Sequence, residues 1–242
     1  MIKPQIRDQL VKKAIAEVFR RASDQKLKTI FGVLAKSYGE RHRHYHTLDH
    51  VAEILALSEN FPLDNAQAFK AAVLFHDVIY DPARYASNYH NISNEGQSSI
   101  ICMNEMDAQG IKPNIVARAK NLILMTKDHV PPKSDHEAAL FLDMDLAILG
   151  MPRSRYEFYA FGTAREFLSS FTPNDYIKGR KLFLNGILDR DTIYQTSEFS
   201  STEKMSRENV LWELENLDRI VARAFAANEK TGLNASLAPT AS

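Results

Sequence analysis

Apolar residues recur at three- and four-residue steps along nearly the whole chain, and no stretch alternates with the two-residue rhythm of a half-buried strand. That periodicity confines the chain to helices packed on helices. Leu10, Ala14 and Val18 mark a first helical face, and Ile30, Phe31 and Leu34 a second after a break. Val51, Ile54, Leu55 and Leu57 give residues 48–60 an apolar side, and 66–79 reads as a buried helix. Helices over 94–109 and 113–126 follow, the latter with Pro113 at a first helical position. One helix is expected over 135–149, stopped by Gly150. Ser154-Arg155-Tyr156-Glu157 has the form of a capping box, Thr172-Pro173 opens a helix to about Arg190, and a long one covers 202–227. The expectation is a single all-α domain of nine or ten helices over residues 1–227. Residues 228–242, small and polar, form a frayed tail.

With 242 residues, of which 45% are hydrophobic, the chain can bury a sizeable core without disulfides or structural metals. A metal-site signature in it therefore points to chemistry. Thirty basic residues balance thirty acidic ones, which argues against a general nucleic-acid or membrane-surface binder. No apolar run approaches the roughly 20 residues of a membrane span. Lys12 and Lys13 interrupt the first candidate signal core. Cys102 has no intrachain disulfide partner and sits in an apolar run, which suits a core residue in a reducing cytoplasm better than a nucleophile. The sequence sets no oligomeric state.

The longest irregular stretches, 39–47, 80–93 and 127–134, hold or flank most of the eight histidines. Three signals stand out. In Tyr45-His46-Thr47-Leu48-Asp49-His50, a helix starting near Thr47 puts His46 and His50 one turn apart on one side. Such a pair suits a metal site or a ligand beside a proton donor; solvated histidines at a helix start are the alternative. Phe75-His76-Asp77 closes an apolar helix, where a buried histidine and aspartate are costly unless paired with each other or metal-bound. In Phe141-Leu142-Asp143-Met144-Asp145-Leu146, at least one aspartate should face inward, unless the helix keeps one solvated stripe. Together they offer two imidazoles and two carboxylates, a donor set that leaves room for water in a six-coordinate shell.

This ordered set, His50, then His76-Asp77, then a distant aspartate, resembles the HD superfamily of metal-dependent phosphohydrolases, and in particular a bacterial subgroup of predicted HD-superfamily phosphohydrolases. The likeness covers about residues 35–195 and includes 43–46, 75–82, Asn94-Glu95, Thr126-Lys127-Asp128-His129 and 142–150. It implies an all-helical HD-type domain. Cyclic-nucleotide phosphodiesterases of that superfamily carry Tyr-His-Asn-x-x-His, and residues 45–50 have the same spacing with Thr47 in place of Asn. By that similarity His50 is a metal ligand and His46 the general acid, and Asp145, which Leu146 follows directly, is favoured over Asp143 as fourth ligand. Cyclic specificity does not carry over, because the long cyclic-nucleotide pocket is not recognisable.

The resulting expectation is hydrolysis of a phosphate ester or anhydride in a small phosphorylated metabolite, with nucleotides among the candidates. One divalent ion, or two, would sit on His50, His76, Asp77 and Asp145, with Asp77 also holding the attacking water. Mixed ligands favour Mn, Fe, Co, Ni or Zn over Mg. Glu95 could orient a ligand or a water, or simply be a carboxylate at a helix start. His129 could bind phosphate or a second metal, or be a surface residue. Lys127 could contact phosphate or be solvated. Arg165 and Arg180 could contact phosphate, or pair with Glu166 and Asp175. A nucleotide- or metal-binding sensor without turnover is the rival reading, and a scaffold with structural His–Asp pairs is a third.

Overall fold

The computed structural model describes residues 2–85 and 92–234. Among these residues there are ten α-helices, three short 3-10 turns and no strand. The helices are α1 Pro4–Val18, α2 Asp24–Ser37, α3 Leu48–Ser58, α4 Ala66–Phe75, α5 Asn94–Ala108, α6 Pro113–Met125, α7 His136–Asp145, α8 Arg153–Phe167, α9 Pro173–Leu188 and α10 Glu203–Glu229. No described helix is long and apolar enough to cross a membrane. The chain forms two compact units. One contains residues up to 41 together with 46–145, and the other contains 42–45 together with 146 onward.

In the first unit α4 is central, packing against α1, α3, α5 and α6. Its sequence dictates this place: Ala68, Phe69 and every residue from Ala71 to Phe75 are buried. Each large apolar side chain removed from water there contributes about 1.5–3 kcal/mol. The one charged residue, Lys70, reaches the carboxylates of Glu17 and Glu59 with its ammonium. The helix stops at Phe75, with His76 as its C-cap, short of the 66–79 expected. Val78 stays buried beyond it in a turn, its amide donating to Phe75 O. Burial alone could not distinguish helix from turn here, because both hide the same apolar residues. At the other end, Glu137 of α7 accepts from the amide of Asn65, the N-cap of α4, and also takes the Arg118 guanidinium. Arg118 binds Asp135 too, and Asp135 in turn caps α7 through Ala138 N.

In the second unit the 27-residue α10 is the spine, against α8, α9 and the 3-10 turns Leu146–Gly150 and Ser197–Thr202. The single helix expected over 135–149 is instead α7 followed by the first of these turns. Side chains take over the carbonyls there: Tyr194 OH donates to Leu146 O at 3.3 Å, and Asn209 Nδ2 to Leu149 O and Met151 O at 2.7 and 2.8 Å. At Gly150 a Cβ would lie 2.7 Å from Thr202 Cβ, so only glycine fits this close approach.

Two expectations at helix ends need correction. Ser154 is not the cap of α8; Pro152 is, and its carbonyl accepts from Arg155 and Tyr156. Asn228, expected in the tail, is fully buried in the last turn of α10, where it donates to Arg165 O at 2.8 Å. Its amide caps the end of α8, a role that local polarity could not reveal. Residues 235–242 of the expected tail lie outside the described part.

Candidate metal centre

Three elements of the first unit meet at one point. Thr47 caps α3 by accepting from Asp49 N, which sets His50 on the buried side of the first turn. His76 ends α4 and is 1% exposed, with Asp77 next to it. Asp145 ends α7. His50, His76 and Asp77 each offer a donor atom within 4.8 Å of the others. Asp145 Oδ1 lies 2.9 Å from His50 Nε2 and 3.6 Å from His76 Nε2. The two Nε2 atoms are 3.2 Å apart, and Asp77 Oδ2 is 3.1 Å from His76 Nε2 and 4.0 Å from His50 Nε2.

The tautomer of His76 follows from its other nitrogen. Nδ1 lies 3.0 Å from Val73 O, a carbonyl that can only accept, so Nδ1 carries the hydrogen and Nε2 presents a lone pair in the neutral ring. This is the arrangement of a metal-ligating imidazole held by a carbonyl. It arises because the last carbonyls of a helix lack intrahelical partners, and a histidine at the C-cap can take one.

Electrostatics ask for positive charge at the same point. Burial opposes ionisation of all these groups. Even so, the charge of the Asp77 carboxylate and the hydrogen bonds that Asp145 and Asp77 accept from the ring hold the His76 pKa well above the usual imidazole value. Asp77 is held below the usual carboxylate range by His76 and His46, and Asp145 well below it by His129, His50 and His76. A cation fits the same demand. Donors about 2.1 Å from a common ion stand about 3.0 Å apart when adjacent in an octahedron and about 4.2 Å when opposite, and the observed 2.9–4.0 Å falls in that range. The residues present therefore suit a divalent ion with mixed nitrogen and oxygen ligands.

Of the two aspartates in α7, Asp145 is the one that meets the histidines. Asp143 is also buried, but residues two apart on a helix point about 200° apart. His129 is not a surface residue: its Nε2 lies 3.1 Å from Asp145 Oδ2. It is also the one described non-glycine residue with positive φ, at 52°, a conformation that costs energy and here aims the ring at Asp145. His46 stacks on Tyr80 at a centroid distance of 4.2 Å, and its ring is 5.9 Å from that of His50.

Glu95, in the first turn of α5, is 7% exposed. Tyr85 OH donates to its Oε1 at 3.4 Å, and its Oε2 is buried without a hydrogen-bond partner among the described residues. Lys127 is exposed in the turn after α6. Arg165 and Arg180 belong to the second unit and are bound there. Arg165 Nε donates to Asn228 Oδ1 at 2.9 Å. Arg180 grips Glu213 through Nε and Nη2 at 2.7 and 3.1 Å, where Asp175 was expected. Burial pushes the Cys102 thiol far up, consistent with a core residue.

Sequence reading gave Tyr80 no role, although an aromatic four residues after His76 could have suggested a wall for the site. The contact of His129 with Asp145 carried no sequence signal, since it depends on a left-handed backbone outside any glycine. No protein-family model, curated protein or solved structure matches this chain.

Proposed function

We propose that the protein is a metal-dependent phosphohydrolase of the HD type, acting on a small phosphorylated metabolite. The observation that carries this reading is the convergence of His50, His76 and Asp77, with Asp145 Oδ1 2.9 and 3.6 Å from the two imidazole nitrogens and the His76 lone pair turned toward them in the neutral ring. Sequence order and spacing, which resemble those of the HD superfamily, support it as well. A divalent cation held there supplies Lewis acidity, polarising a phosphoryl oxygen and acidifying water toward neutral pH.

The protein's own residues divide the remaining work. The histidines are the more deeply buried of the four, with side chains 4% and 1% exposed, and would hold the ion from inside. Asp77 and Asp145 are 17% and 12% exposed, so the open side of the cluster is lined by carboxylates. Asp77 would accept a hydrogen bond from the attacking water. His129 steadies Asp145 through its second oxygen. His46, half-buried against Tyr80 and with its ring 5.9 Å from that of His50, would protonate the leaving oxygen, a role open to an imidazole.

The test is a phosphate-release screen over monophosphates, diphosphates and phosphodiesters, using protein stripped of metal and reloaded with Mn, Co, Ni, Zn or Mg. Metal-dependent release from at least one class is expected. Stoichiometric metal binding with no release from any class would favour the sensor reading instead.

A further inference from the structure

We infer that Glu166, in the second unit, is a positioning residue for His46: its carboxylate clamps the backbone immediately before the proposed proton donor. This rests on the role proposed for His46. Glu166 is fully buried in α8, where a carboxylate is costly unless it finds strong donors. It finds two successive backbone amides, His44 N and Tyr45 N, both 2.7 Å from Oε1. Adjacent amides converging on one oxygen form an anion-binding concavity, and charge-assisted bonds this short are the strong kind.

The rest of that helix face is shaped for the same segment. Gly162, one turn before Glu166, leaves room for it: a Cβ there would stand 3.4 Å from the carbonyl of His44 and the Cβ of Tyr45. Tyr159, three residues earlier, meets the Tyr45 ring edge-on at 4.6 Å. Positions 159, 162 and 166 share one helical stripe, so ring, gap and carboxylate hold residues 44–45 together. The chain passes from the second unit back to the first at His46, the next residue. His46 is thus bonded directly to the clamped peptide, and its ring stacks on Tyr80. His50 has its own anchor in the Thr47 cap, so the clamp should govern proton donation more than metal affinity.

The experiment compares the full chain, metal-loaded, with Glu166→Ala, Glu166→Gln and Gly162→Val. In Glu166→Ala, amide exchange at His44 and Tyr45 should accelerate at least about tenfold with the rest of the chain unchanged. Metal stoichiometry should be kept, and kcat should fall about 10–10²-fold with KM moving less than about threefold. Glu166→Gln keeps an acceptor oxygen without the charge and should fall between that variant and wild type. Gly162→Val displaces the same segment with the carboxylate intact and decides the matter if Glu166→Ala does not fold. Unchanged exchange at 44–45 in both Glu166 variants would overturn the proposal, as would faster exchange with wild-type kcat and pH profile. If the wild-type protein releases phosphate from nothing, the functional reading fails, but the clamp is still decided by imidazole NMR of the zinc-loaded protein. There the His46 signals should shift in Glu166→Ala while those of His136 stay in place; unmoved His46 signals would sink it.

Discussion

Both units bury ionisable groups, and they do so in opposite ways. In the second, Arg180 and Glu213 neutralise each other through two hydrogen bonds, and Tyr156 OH donates to Glu213 Oε2 at 2.6 Å. The Arg180 guanidinium also lies over the rings of Tyr159 and Phe183, at 5.2 and 4.9 Å. In that cluster the opposite charges meet directly and cancel. In the first unit, two imidazole nitrogens 3.2 Å apart stand among two carboxylates. That cluster is rich in acceptors and suits a proton or a cation. Buried charge that balances itself holds a fold together, whereas buried charge that converges without balance marks a binding site.

The comparison breaks first at Asp77. Asp77→Ala should abolish metal binding and any phosphate release while circular dichroism keeps its helical signature, because the core around α4 does not depend on the ion. A variant that still binds metal and turns over would erase the distinction between the two clusters. His46→Ala should keep its metal and lose about 10²–10⁴-fold in turnover; loss of metal instead would make His46 a ligand.

The converse experiment is in the other unit. Glu213→Gln leaves the Arg180 charge buried and unmatched and should destabilise the protein by about 3–5 kcal/mol, with metal stoichiometry unchanged, as denaturant unfolding would report. A smaller effect is expected of His129→Ala, which removes the hydrogen bond to Asp145 and should weaken metal binding about 10–100-fold.

The smallest effect is in pH. Because Asp77 and Asp145 raise the His76 pKa in the metal-free chain, metal must displace a proton there, and affinity should rise about tenfold per pH unit below that pKa. The stability that a protonated His76 gives the metal-free chain is present below its unfolded pKa and lost as pH rises through the raised folded value. Metal should therefore protect most at the alkaline end of the range. Calorimetry in buffers of different ionisation enthalpy measures the released proton.

How much of this was legible beforehand depended on whether the signal was local. The helices were readable because an apolar face repeats within a few residues, as at Val51, Ile54 and Leu55. The gathering of His50, His76 and Asp145 was readable because each interrupts such a face, and of the two aspartates of α7 the resemblance favoured Asp145, the one that lies beside the histidines. What stayed hidden depends on contacts distant in sequence. Glu213, 33 residues from Arg180, displaced the expected Asp175, and Asn228 reaches back 63 residues to close α8. The boundary between the units was invisible because it falls inside the apolar run after Asp145 rather than in a linker.

The most direct test of the central claim is anomalous scattering at the metal edge from crystals of protein loaded with manganese or zinc. The account predicts a peak within about 2.3 Å of His50 Nε2, His76 Nε2, Asp77 and Asp145. Fully loaded crystals with no peak there, or with the ion bound only by other residues, would contradict it.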